Sequence, residues 1–283
     1  GGHMLNVAPF ERDVEIILND IRNFEGVCAC IRGKDALFNC AAYTSHPNSM
    51  KEPLIDIDVN CKGVINLLEA ARRFNPEVRI VHVGTSTQIG RMLYSPIDER
   101  HPEFPADIYS ADKSAAEKYV LIYGGAYGLS TTVVRLANVY GPRSNIKSPD
   151  FGFVNYFIGL ALQGKDMTVF GEGRQVRNLT YVEDAVEALV LAAGPRGRGD
   201  VFFAVSDSHV TVSEIADAIA RHVGGRVRRV EWPKDREVIE VGDAVLSNAK
   251  IKAALDWTPR VDIPEGLRRT REYFVPCLKS YLR

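Results

Sequence analysis

The chain has 283 residues, 46% of them hydrophobic and 25% charged, and its 35 lysines and arginines nearly cancel its 36 aspartates and glutamates. Charge this balanced gives no electrostatic hold on nucleic acid or an anionic membrane, and no apolar run approaches the length of a membrane span, so neither partner is expected. The length suits one large or two intimate domains around a sizeable core.

Gly1-Gly2-His3-Met4 reads as the remnant of an expression tag, and no signal peptide follows it. Val14-Glu15-Ile16-Ile17-Leu18 predicts a first strand. Ala36–Ala42 is a near-continuous apolar run, as expected of a buried parallel strand. Leu54, Ile57, Val64, Leu67, Leu68 and Ala71 recur at helical spacing and predict one long helix over about residues 51–73. A strand at Val78–Val83, a loop, a helix carrying Tyr109 and Lys113, and a strand at Ser130–Leu136 follow. Alternation of this kind predicts an α/β fold with a doubly wound parallel sheet. Beyond Gly141-Pro142-Arg143 the strands shorten, and helices at Val212–Val223 and about Asn248–Leu255 suggest a smaller second lobe. Ligands bind at the carboxyl ends of the strands in such sheets, where Thr85 and Asn138 fall.

Cys28, Cys30, Cys40, Cys61 and Cys277 show no metal or redox spacing and read as free thiols in a reducing cytoplasm. The six histidines form no helical pair with a nearby carboxylate, so no metal site is expected.

Tyr109-Ser110-Ala111-Asp112-Lys113 carries the chemistry. Residues four apart share a helix face, so a phenol and an ammonium stand side by side, with the Thr85 hydroxyl available from a neighbouring strand. That set can move a proton to or from a carbon-bound oxygen. Read alone, Tyr109 is equally a packed aromatic and Lys113 a surface charge.

Several ordered motifs surround the pair. They are Asn19-Asp20-Ile21-Arg22, Asn39-Cys40-Ala41-Ala42, Asp58-Val59-Asn60-Cys61-Lys62-Gly63 and Gly84-Thr85-Ser86-Thr87-Gln88-Ile89-Gly90. Arg135-Leu136-Ala137-Asn138-Val139-Tyr140-Gly141-Pro142-Arg143, the run from Val169 to Asp184 and Leu255-Asp256-Trp257-Thr258-Pro259 complete them. In order and spacing, over nearly the whole chain from residue 14, they resemble the extended short-chain dehydrogenase/reductases. The branch is the NAD-dependent nucleotide-sugar epimerases and dehydratases of the UDP-glucose 4-epimerase type.

The resemblance implies a Rossmann-like sheet with a smaller C-terminal substrate lobe. Residues 5–142 with about 179–204 would bind the dinucleotide; about 143–178 and 205–283 would bind substrate. Thr85, Tyr109 and Lys113 would be catalytic. NAD would lie against Asp20, Ile21, Cys40, Ala41, Ala42, Asn60, Tyr109 and Lys113. The nucleotide-sugar would meet Thr85, Asn138, Arg177 and Arg236. For Arg177 the residues alone also allow a surface ion pair. The family pairs subunits through the helices at about 51–73 and 109–127, so a homodimer is expected, with Leu54, Leu68, Ala115, Tyr119 and Tyr123 as a compatible apolar stripe.

Three departures qualify it. The family's opening βαβ unit, with its glycine-rich phosphate turn, has no counterpart ahead of Asp20, leaving the sheet N-terminally incomplete by about 30 residues. The strand ending at Leu18 would then pair with Ala36–Ala42 directly, or another element would fill the slot. Arg236 stands in for an arginine the family places before a Gly-Asp. Ser86 and Thr87 replace the Asp-Glu of dehydratases and the Glu of decarboxylases, which favours epimerisation through a transient keto-sugar. The rival expectation is a shortened, catalytically impaired member that binds or dimerises.

Overall fold

A computed structural model describes residues 2–234, 240 and 242–282. Nine strands form among the described residues: β1 (Ala36–Asn39), β2 (Arg79–Thr85), β3 (Ser130–Leu136), β4 (Asn138–Tyr140), β5 (Asp166–Phe170), β6 (Val176–Tyr181), β7 (Val201–Ala204), β8 (His209–Thr211) and β9 (Arg226–Val230). The main sheet is parallel throughout, in the order β1-β2-β3-β7.

Side chains alternate across a strand, and both faces of this sheet are covered. Ile80 and Val133 join one core with α1 (Phe24–Ile31), α4 (Gly63–Phe74) and α5 (Ile108–Tyr127). Their neighbours Val81 and Val134 turn to the other face, under α7 (Val182–Ala192) and the helix Ala249–Leu255. A doubly wound sheet is therefore what the chain builds. Around β4, β6 and β8 a second core forms from Tyr140, Leu179, Ile215, Ile219 and Leu267, packed with α6 (Phe153–Leu162), α8 (Val212–His222) and the helix Ile263–Tyr281.

Two sequence expectations are corrected. Val14–Leu18 is not a strand: it is irregular, and Leu18 is 89% exposed. A strand holds its shape only when its backbone groups find a ladder partner, and among the described residues nothing pairs with the outer edge of β1. Neither arrangement expected for that slot occurs. Phe38, in register with Val81, is 40% exposed because β1 ends the sheet there.

The single helix over 51–73 is interrupted. α2 (His46–Lys51) stops at Glu52, whose backbone leaves the helical region at φ −129°, ψ 59° ahead of Pro53. α3 (Pro53–Asp56) then runs through a π-helical turn, Ile57–Lys62, into α4. The widened turn carries Asn60 and Cys61, both buried.

α5 is bounded by its sequence. Asp107 caps it, accepting a 2.8 Å bond from the Ser110 amide, and Gly128 ends it in the left-handed conformation at φ +74°. Between these, Tyr109, Lys113, Ala116 and Val120 repeat on the buried face.

Candidate active site

The site gathers at the carboxyl ends of β1 and β2, against the first two turns of α5. β2 delivers Thr85 there, 8% exposed, after a nearly unbroken buried strand. The Thr85 hydroxyl lies close enough to the Tyr109 phenol to pull its pKa down. Thr85 Oγ1 is also 3.0 Å from Thr87 Oγ1, which in turn accepts the Ser110 hydroxyl at 3.0 Å. Tyr109 is held from behind, where its backbone amide donates to Ser49 Oγ at 3.1 Å. Burial pushes its phenol up to about 12, against a smaller downward pull from the Thr85 hydroxyl.

Lys113 is 4% exposed, which removes the surface-charge reading. Its ammonium donates to the Val83 carbonyl at 2.6 Å and lies 3.2 Å from His82 Nε2. Burial lowers it to about 8. His82 is fully enclosed, with Nδ1 3.0 Å from the Asn39 amide; burial and the Lys113 charge drive its pKa well below that of free imidazole, so the ring is neutral.

Other expected residues divide. Asn60, 1% exposed, clasps Tyr43 in the loop after β1: its oxygen accepts the Tyr43 amide at 3.0 Å and its nitrogen donates to the Tyr43 carbonyl at 2.9 Å. Ala41 donates its amide to Asn39 Oδ1 at 3.3 Å, while Ala42 continues this loop and Cys40 is exposed within it. Ile21, Cys40 and Ala41 line one cavity of about 240 Å³ along the free edge of β1, with Leu37 and Phe38. Asp20 instead turns to Arg22, which forks onto it at 2.9 and 2.7 Å and holds its carboxyl down at about 2.

Asn138 opens β4 and donates to the Asn178 carbonyl at 3.0 Å. Arg177 is engaged by the Glu240 carboxylate at 2.6 Å and the Gly242 carbonyl at 2.6 Å, so the ion-pair reading of that residue is realised here. Arg236 lies outside the described residues.

His46 and Asp107 belong to the site and were missed in the sequence. The His46 ring meets the Tyr109 ring edge-on, centroids 4.7 Å apart, and its Nδ1 is 2.7 Å from Asp107 Oδ2. Asp107 was findable as an Asp-x-x-Ser cap, but nothing local joins residues 46 and 107. Behind α5, Arg135 is buried between Glu117 and Glu103, each at 2.6 Å, tying β3 to the helix that carries Tyr109.

Residues 5–202 match the NAD dependent epimerase/dehydratase family. A UDP-glucose 4-epimerase of Mycolicibacterium smegmatis is 32% identical over 85% of this chain and 76% of its own length. The UDP-glucose 4-epimerase of Thermotoga maritima, solved with UDP-glucose, superposes with a TM-score of 0.85 at 29% identity, covering 94% of this chain and 86% of that one. That of Thermus thermophilus, solved with NAD, gives 0.81 at 30% identity, covering 90% and 83%. Relatives at 28% identity include a UDP-N-acetyl-alpha-D-glucosaminuronate decarboxylase of Bacillus cytotoxicus and a dTDP-glucose 4,6-dehydratase of Streptomyces niveus, so the likeness spans several reactions.

Proposed function

The chain belongs to the NAD dependent epimerase/dehydratase family, and from that premise we propose that it epimerises a nucleoside-diphosphate sugar with bound NAD. The observation that carries this is the gathering of Thr85, Tyr109 and Lys113, all buried at the end of β2 and the start of α5, with hydroxyls rather than carboxylates at residues 86 and 87. Thr87 is spent on Thr85 and Ser110, and the nearby carboxylate of Asp107 is spent on His46 and the helix cap. Water loss and decarboxylation would thus lack a carboxylic acid at residues 86 and 87.

The residues fit the nicotinamide end of NAD. Tyr109 and Lys113 present a phenol and an ammonium from one face, and the loop from Cys40 to Ala42, with its small side chains, flanks them. NAD, when bound, supplies the hydride acceptor and a positive ring. Tyr109 takes the proton of one sugar hydroxyl at its phenolic oxygen and later returns it. Thr85 hydrogen-bonds the same sugar oxygen and orients it. From about 12, ionising Tyr109 near neutral pH needs about 7 kcal/mol, so positive charge beside the ring is essential to this reading. Lys113, one helical turn on and buried, is proposed to provide one such charge, little screened by water.

Arg177 is proposed to grip the diphosphate through its planar fork once Glu240 releases it, with Asn138 beside the sugar. A homodimer is proposed through α3, the π turn and α5. Leu54, 76% exposed, and Ile122, 56% exposed, are apolar side chains left facing outward, whereas Leu68 of the expected stripe is in the core.

The test is to incubate the protein with NAD and UDP-, GDP-, CDP- and dTDP-sugars and to analyse the sugars for epimers. Epimer formation that disappears in Tyr109→Phe supports the reading; activity unchanged in that variant overturns it. Calorimetry with NAD addresses the rival, a binding or dimerising protein, since tight NAD binding contradicts it.

A further inference from the structure

Asp56 closes α3 and is wholly buried; Asp112 sits on α5 immediately before Lys113. The two carboxyls interact, each acting on the other's titration. Asp56 Oδ1 accepts the Asn60 amide at 2.7 Å, which leaves its Oδ2 buried with no hydrogen-bond donor. Asp112 Oδ2 is buried and unpartnered in the same way. Two carboxylates are acceptors only, so contact between them is repulsive unless a proton lies between them.

We propose that Asp56 and Asp112 share one proton, and that this acid pair is a positioning clamp fixing the loop after β1 against the helix of Tyr109 and Lys113. The connection is continuous. Asp112 meets Asp56, Asp56 fixes the Asn60 amide, and Asn60 clasps both backbone groups of Tyr43. Tyr43 directly follows Cys40-Ala41-Ala42. The two walls of the site are therefore joined through a proton.

The surroundings leave that proton in place. From α5 and its cap the pair faces Asp107, Tyr109 and Lys113; from the π turn, Cys61; from the loop, Tyr43. Lys113 is the cation of that set, and it is committed to the Val83 carbonyl. The Cys61 thiol donates to the Asp112 backbone carbonyl at 3.6 Å and stays neutral, its pKa raised to about 12 by burial first and by Asp112 second. Burial first, and then Asp112, raise Asp56 to about 7, with the Asn60 bond pulling the other way; burial raises Asp112 too. A carboxyl raised on folding contributes stability below its unfolded value, and that contribution is lost as pH climbs through the folded value. The clamp should hold at pH 6 and loosen above about 7.

The consequence for catalysis rests on the reading of Tyr109 and Lys113 given above; the proton does not, and its test uses neither NAD nor turnover. Difference infrared spectroscopy at pH 6 should show a protonated carboxyl in the wild-type protein that is absent from both Asp56→Asn and Asp112→Asn. Either amide can donate to the remaining carboxylate, so both variants should fold and keep the clamp without a proton. Exchange of the Tyr43 amide, corrected for intrinsic rate, supplies the second readout. One unit above a value of about 7, the wild-type amide should lose about tenfold in protection, while Asp112→Asn stays flat. No protonated carboxyl at pH 6, or the same pH profile in wild type and Asp112→Asn, overturns the proposal.

Discussion

Asp107 uses its two oxygens on two different elements: Oδ1 accepts the Ser110 amide at 2.8 Å and caps α5, while Oδ2 lies 2.7 Å from Nδ1 of His46 at the start of α2. One side chain thus sets both the first turn under Tyr109 and the imidazole packed on its ring. The His46 bond holds the Asp107 carboxyl below its ordinary value even though burial opposes it. Asp107→Ala should cost the cap, about 1 kcal/mol, and more for the stranded His46. His46→Ala leaves the cap in place. Urea unfolding of the two variants should therefore rank Asp107→Ala as clearly the less stable.

Lys113 gives a prediction whose sign is unusual for removal of a catalytic group. Its pKa is lowered to about 8 by burial, so near neutrality the folded state holds a charge it disfavours. Between about 8 and the ordinary value of 10.5 the unfolded chain binds more protons than the folded one, and stability rises with pH through that window. Lys113→Met removes the buried charge while filling similar volume. The variant should be as stable as wild type or more so at pH 7, with the difference shrinking by pH 10. Epimer formation should fall by at least about a hundredfold in the same variant. A marked loss of stability at pH 7 would refute the assignment of Lys113 as a strained, buried ammonium.

What the sequence disclosed follows the reach of each signal. β2 and β3 were legible because a central parallel strand is apolar on both faces, and α5 because Tyr109 and Lys113 repeat with its buried side. Val14–Leu18 carries the same β-forming residues as those strands, but pairing depends on a neighbour that residue preference does not encode. The π turn was invisible because Leu54, Val64 and Leu68 keep approximate helical spacing across it. Long-range polar pairs, His46 with Asp107 and Asp56 with Asp112, join residues some sixty positions apart. Periodicity cannot find them.

Glu240 occupies the guanidinium that the proposed mechanism assigns to phosphate. Arg177 Nη2 sits 2.6 Å from its carboxylate, with Arg177 and Glu240 side chains 15% and 24% exposed. A diphosphate must displace this partner or accept a second anion beside it. Glu240→Gln weakens the internal pair while keeping its shape, and should tighten binding of UDP or dTDP about threefold to tenfold by calorimetry. Weaker binding in that variant would mean that Glu240 orients Arg177 for the ligand instead of competing with it.

Two glycines separate backbone necessity from convenience. Gly90 ends the turn that follows Thr85, at φ +64°, and a Cβ there would lie 1.7 Å from the Phe104 carbonyl oxygen. Phe104 cannot retreat freely, since its amide bonds Ile89 at 2.9 Å and the preceding Glu103 grips Arg135. Gly90→Ala therefore combines a strained backbone with a backbone clash, and should cost roughly 3 kcal/mol or more. Gly125 lies inside α5 with open space around its Cα and no positive φ. There the same change removes conformational freedom from the unfolded chain and should stabilise by about 0.5–1 kcal/mol. Denaturant midpoints moving in opposite directions for the two alanine variants would confirm that the Thr85 turn is pinned by residues 103–104. Equal shifts would show that the turn can yield, and that Thr85 is not held by it.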